Sequence, residues 1–414
     1  MTLPYIAILS VVVFGSAIFL LTRASQELKS SVMNRKIKTA TALANNSVTD
    51  MLRQFAQNLQ ENHYDAATLE RSPAFSSNGF SSVSITANQS QHFLSFEARG
   101  SYGDDIDNPD NRKTVTGVIK FISDMTTFGT MTNGSFTTSA NNVTYTGKVW
   151  INGNWTISGD NIIVNGGPVF VNGNISTSGG GDLVVNGNLY RAGARAGTIT
   201  VNGSDNNYLP QMTWPTIDRT YFDSISNVVV SADANVRFQW DGVSPTGSVR
   251  VGTTPYAIPS SGFVIYGRNC TLTSSGTVRG RVSVVSLRTS GTVGGNIVID
   301  DTLHYATAGS TSLSNASDSF GAIASNSISF NKAGATANDL YVSGTYFVDS
   351  AGTTGMTATC TGCASKRFRF FGTRNKGISV SGWTGFDISF DQNLDTFPPP
   401  GLPEKPYLVS WDIK

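Results

Sequence analysis

Asp300, Asp301 and His304 stand close together, and carboxylates beside an imidazole are the residue types that general acid–base work on a glycosidic bond requires. Two readings are open for them: an acid–base group, or a solvent-exposed turn, which we prefer. Asp104, Asp105, Asp107 and Asp110, with Asn108 and Asn111, offer the oxygen ligands that calcium takes. Their spacing is not that of an EF-hand, so a solvated acidic turn competes with a metal site and is preferred. Cys360 and Cys363 form a single C-x-x-C, and Cys270 is the third thiol. A zinc site needs a second such pair, and none exists. In an exported chain Cys360 and Cys363 can close a small disulfide loop, leaving Cys270 free and buried. Lys366, Arg367, Arg369, Arg374 and Lys376 interleave with Phe368, Phe370 and Phe371. That pattern fits an anion-binding surface or, the reading we prefer, a strand with one buried and one wet face.

Composition narrows the chemistry further. The chain has 414 residues, 14% of them charged, a net charge of +1 and three histidines. No broad basic field exists to hold nucleic acid. No nucleophile elbow, P-loop, dinucleotide fingerprint or zinc helix is present. The chain is therefore expected not to be an enzyme and to use no cofactor.

Behind these residues stand three kinds of element. Leu3 to Leu21 carries no charge and is long enough, at about 28 Å, to cross a bilayer as a helix. From Arg23 to Leu59 there is neither Pro nor Gly, and Leu28, Val32, Leu43, Val48, Leu52, Phe55 and Leu59 recur mostly at spacings of three or four or their sums. The spacing predicts one continuous amphipathic helix over 1–60. Arg23, Lys29, Arg35, Lys36 and Lys38 follow the apolar run, a charge order that a cleaved basic leader ahead of Met1 would reconcile with an exported body.

Ser82 to Ile85, Phe93 to Ala98 and Thr114 to Ile122 alternate apolar and polar residues, which predicts strands in a region spanning 61–125. From Trp150 the chain repeats a β-branched residue followed by Asn-Gly, at Ile151, Val164, Val171, Val185 and Val201, in steps of 13, 7, 14 and 16. Ser275-Gly276-Thr277-Val278 recurs as Ser290-Gly291-Thr292-Val293. Asn-Gly marks either two-residue hairpin turns of an antiparallel sandwich or corners of stacked parallel coils. The repeat favours the second, a right-handed parallel β-solenoid over 126–350, with further strands and a Pro-rich cap over 351–414. The fold class expected is α+β, mainly β.

Met1-Thr2-Leu3, the apolar run and the long helix together resemble the mature N-terminus of type IV pilins. The chain departs from that family at Pro4, where Ile is usual, and at Tyr5, where the family has a Glu that pairs with a neighbour's N-terminal amine. Ala98 to Gly103 and Arg112 to Val115 resemble matching stretches of pilus assembly proteins with a pilin-like stem. Phe390-Asp391, Leu394, Pro398-Pro399-Pro400-Gly401-Leu402-Pro403 and Ser410-Trp411 resemble the ending of pilus-associated proteins with pilin-like N-termini and β-helical bodies. The resemblance implies a major or minor filament subunit, held in the bacterial inner membrane before assembly and then extracellular. Met1, Leu28, Val32, Leu43, Val48, Leu52 and Phe55 would carry self-association, aided by the pilus assembly machinery. A membrane-tethered envelope scaffold or adhesin is the second reading, and a polysaccharide-acting enzyme the third.

Overall fold

The computed structural model describes residues 3–60, 71–76, 79–88, 93–102, 112–209, 214–215, 217–289, 293–308, 318–332, 339–349, 354–363 and 365–413. It divides into two compact units, one of Met1–Phe121 with Pro406–Lys414 and the other of Ile122–Lys405.

The first unit is built on one helix, α1, over Leu3–Gln60. Pro4 sits in its first turn, where a missing backbone N–H costs no intrahelical bond. The sheet of this unit runs in the order Arg71–Ser76, Gly79–Asn88, Phe93–Tyr102, Arg112–Ile122 and Lys405–Ile413. The first four are joined by antiparallel pairings. Alternation along Phe93–Tyr102 is as expected: Phe96 and Ala98 are buried, while Ser95 and Arg99 are exposed. Val83 and Val115 flank Ala98 in register and are buried with it.

α1 lies on the strands Gly79–Asn88 and Phe93–Tyr102. Among its described side chains the buried ones are Ala40, Ala44, Ser47 and Val48, which share one helical face. Three of the four are small, and that lets the helix axis approach the sheet closely. A Cβ added at Gly100 would meet the Ala44 amide nitrogen at 2.6 Å.

In the second unit, residues 128–206 wind into coils that place one strand in each of three stacks. One stack holds Phe128–Thr132, Lys148–Ile151, Val169–Val171, Leu189–Arg191 and Asp205–Asn206. The next holds Phe136–Thr138, Trp155–Ile157, Ile175–Thr177 and Arg195–Ala196, and the third Thr144–Thr146, Ile162–Asn165, Asp182–Asn186 and Thr198–Val201. Every described pairing among them is parallel. The Asn-Gly pairs are therefore corners between stacked strands and not hairpin turns. Because each pair joins residues one coil apart, the sheets are stacks and not the wall of a barrel. Inside the coils Val149, Ile151, Trp155, Ile157, Ile162, Val164, Val169, Val171 and Ile175 are essentially fully buried. Thr138 serves two of the core aromatics, accepting from Trp155 Nε1 at 3.1 Å and bonding the Tyr145 hydroxyl at 2.9 Å.

Residues 228–389 form a second run of parallel strands. One stack comprises Val228–Val230, Phe263–Arg268, Arg281–Leu287, Ser319–Ala324, Leu340–Val348 and Arg367–Arg374. The other comprises Ala234–Gln239, Thr271–Val278, Asn296–Tyr305, Ser327–Lys332, Thr354–Cys360 and Gly377–Ser381. An antiparallel insertion, Ser248–Val251 with Thr254–Ala257, is added beside Ala234–Gln239. The stack crosses residue 350 without a break, since Leu340–Val348 pairs with Arg367–Arg374, so the boundary expected there falls inside it.

The two runs join end to start. Arg374 pairs in parallel with Thr130, and the Phe390 amide donates to Thr146 Oγ1 at 2.7 Å. Along the stack the order is thus 228 to 389, then 128 to 206. The segment from 207 to 227 connects the two far ends. Its Trp214, Ile217, Tyr221, Phe222 and Ile225 pack over Val264, Tyr266, Val285, Ile323 and Phe347. The Pro run lies across the same strands: Arg281 Nε donates to the Pro398 carbonyl at 2.9 Å and Ser283 Oγ to the Pro400 carbonyl at 2.6 Å. It covers a sheet face.

Candidate functional site

The stem helix divides by exposure. From Phe19 to Arg35 every side chain of α1 is exposed, and from Lys36 to Val48 the helix is partly or wholly covered on one face. Phe19 (66% exposed), Leu20 (63%), Leu21 (71%), Leu28 (68%), Val32 (48%) and Met33 (39%) are the large apolar groups of the bare stretch. Its charges are solvated: Arg23 Nε meets Glu27 one helical turn on at 3.2 Å, both exposed. Lys36, nearer the sheet, holds its ammonium 5.9 Å from the Tyr102 ring centroid. Among the described residues no helix is long and apolar enough to cross a membrane. The side chains of residues 3–18, which carry most of the apolar run, lie outside that set.

The expected assembly residues therefore separate. Leu28 and Val32 are open, Leu43 is half-buried, and Val48 is 2% exposed within its own unit. Met1 and the side chains of Leu52 and Phe55 lie outside the described residues, as do Asp104, Asp105, Asp107 and Asp110. Among the described residues no group of three or more His, Cys, Asp or Glu could hold a metal.

The candidate chemistry at Asp300, Asp301 and His304 is dispersed by geometry. Both Asp300 carboxylate oxygens accept from the Arg237 guanidinium, each at 2.6 Å. Asp301 is exposed and accepts from the Thr302 amide at 2.7 Å. His304 lies within 3.4 Å of Thr277 Oγ1, and burial pushes its pKa down from the ordinary 6.5. The strand Arg367–Arg374 alternates as a two-faced strand only over its first four residues, and from Phe370 to Arg374 it is buried on both faces. Phe368 and Phe370 are buried, while Arg367 is bidentate to Asp387 and Arg369 Nε donates to Asp339 Oδ2 at 2.9 Å. Those carboxylates occupy the guanidinium groups that an anionic ligand would need. Arg374 points inward, 3% exposed, with its guanidinium 5.9 Å from the Tyr145 ring and 5.8 Å from that of Phe386. Cys360 and Cys363 are bonded, and Cys270 is free, buried and pushed up to about 11 by that burial.

Sequence reasoning missed what the corner asparagines do. Asn172 Nδ2 donates to Asn152 Oδ1 at 2.9 Å, and Asn152 Nδ2 to Asn133 Oδ1 at 2.8 Å. Asn202, Asn186 and Asn165 form a second amide ladder, each step 2.6 Å. Among the described residues the left-handed asparagines are Asn142, Asn161 and Asn269, so these ladder residues are not there for backbone reasons. The middle amides, Asn152 and Asn186, each donate to one neighbour and accept from the other, as the two ends of the group allow. These columns hold successive coils in register and offer no catalytic group.

No protein-family model matches the chain, and no curated protein matches it. Among solved structures the chain is similar to that of the competence-associated pilin ComZ from Thermus thermophilus. Identity is 10% and the TM-score 0.40, over 92% of this chain and 97% of that one. A similarity of that strength carries no functional argument.

Proposed function

We propose that the chain is a pilin-like subunit of an extracellular filament of the type IV class, major or minor. Its α1 sits in the inner membrane before assembly and afterwards packs against α1 of other copies. The β-rich body, which we read as a parallel β-solenoid, stays outside and makes the contacts of the filament with its surroundings. The observation that supports this is the bare stretch of α1 from Phe19 to Arg35. A helix carrying Phe19, Leu20, Leu21, Leu28 and Val32 in water, while its next turns are docked on a sheet, leaves an apolar surface that monomers rarely keep.

The test is to shear native cells and look for the chain in extracellular filaments by electron microscopy and mass spectrometry, with Leu28→Asp beside the wild type. The wild type should appear in filaments. The variant should be absent from them and keep the wild-type melting curve. Normal filaments containing Leu28→Asp would overturn the proposal. Retention of the wild type in the membrane fraction, with none in filaments, would favour a tethered scaffold.

A further inference from the structure

The antiparallel insertion beside Ala234–Gln239 walls a groove of about 750 Å³ whose lining includes Gln239, Trp240, Asp241, Ser248 and Thr277. The filament reading does not use these residues, although Thr277 pairs within the strand stack and Gln239 with Ser248 of the insertion. Trp240 is half-buried and held in place: its Nε1 donates to the Ser244 carbonyl at 2.8 Å. The Arg279 guanidinium lies 5.8 Å from the ring centroid and is itself fixed by the Pro245 carbonyl at 3.2 Å. The ring so held is part of the groove lining. Gly276, another lining residue, has φ +114°, and a Cβ there would lie 2.1 Å from the Phe238 carbonyl oxygen, so the position has no room for a side chain.

The polar lining defines the ligand's charge. Asp241 is the charged residue among the lining groups, and the Ser244 hydroxyl and the Val243 and Ser244 amides hold its carboxylate ionised. No lysine or arginine is among the described lining residues, and the neighbouring Arg279 is already engaged by the Pro245 carbonyl and the Asp318 carboxylate, so an anion meets no unengaged cation there. What the groove presents is an aromatic ring, an amide that both donates and accepts, four hydroxyls and one carboxylate. An apolar platform ringed by a few placed polar groups suits a ligand that is flat and apolar on one face and hydroxylated at its rim. We propose that the Trp240 groove binds a neutral oligosaccharide, with the indole stacked against a sugar ring and Gln239, Ser248 and Thr277 bonding its hydroxyls.

The site does not depend on filament formation, and its test uses the full chain solubilised in detergent. Cellohexaose, chitohexaose and the anionic polygalacturonate are titrated, with saturation-transfer NMR and calorimetry as readouts. Trp240→Ala, Trp240→Phe and Gln239→Ala are compared with the wild type, and thermal melts report folding. At least one neutral oligosaccharide should bind saturably, about tenfold more weakly to Trp240→Ala and with intermediate affinity to Trp240→Phe. Should Trp240→Ala fail to fold, Gln239→Ala decides, and it too should weaken binding. Three results would overturn the proposal: no saturable binding of either neutral sugar, binding to polygalacturonate alone, or affinity unchanged in a folded variant.

Discussion

Gly100 faces the backbone of Ala40 so closely that a Cβ built on it would lie 2.1 Å from the Ala40 carbonyl oxygen. The contact is between main chains, so no flexible side chain can yield. Gly100→Ala should push α1 off its strand and lower the stability of that unit by about 1–3 kcal/mol, the usual cost of overpacking. Denaturant unfolding followed by circular dichroism reads it, and an unchanged midpoint would contradict the close packing.

The two kinds of polar contact in the coils should differ in weight. Asn172 is exposed at its corner, so Asn172→Ala should cost about 0.5–1.5 kcal/mol. Thr138→Val strands two buried partners, the Trp155 indole N–H and the Tyr145 hydroxyl. Each left without a bond costs about 1–3 kcal/mol, so this variant should be clearly the less stable. Equal melting temperatures would refute the ranking.

Cys270 is 2% exposed, and burial has raised its thiol to about 11. The thiolate is the reacting species, so the native chain should not react with an aromatic disulfide reagent near neutral pH. In denaturant without reductant one thiol per chain should titrate, because Cys360 and Cys363 are bonded to each other. Three thiols under those conditions would exclude the bond.

Stability should also depend on pH through His304. Burial depresses its folded pKa below the ordinary 6.5, so the unfolded chain takes up a proton that the folded chain resists. The contribution is complete above 6.5 and is lost as pH falls through that value toward the depressed one. The melting temperature should fall between about pH 7.5 and about pH 5.5, and His304→Gln should flatten that slope. Parallel slopes for both proteins would assign the titration elsewhere.

Much of the local structure is legible in the residues. The alternation of Phe96 and Ala98 with Ser95 and Arg99 marks the strand and its inner face, and the Pro-free, Gly-free run from Arg23 marks the helix. The coil length is harder to read. Asn152 and Asn172 occupy one corner and Asn165, Asn186 and Asn202 another, so steps of 7 and 14 are two interleaved series whose sum, 21, is the coil at Asn165–Asn186. The docking face of α1 escapes an apolar-stripe search because Ala40, Ala44 and Gly100 act by being small. Nothing local near Thr130 signals Arg374 as its partner, since pairing between distant strands leaves no mark at short range. The same holds for the Trp240 groove, whose lining residues come from separate stretches of chain.

The joining of the last coil to the first has a consequence for the order of events in synthesis. Thr146 emerges from the ribosome 244 residues ahead of Phe390, the residue that bonds it. Over that interval the strand Phe128–Thr132 presents an unpartnered edge to its surroundings, the kind of edge that invites pairing with other chains. The early coils can wind as they appear, but the seam waits until almost the whole chain has been made. Contacts so distant in sequence tend to form slowly, so this edge is expected to be among the last to close.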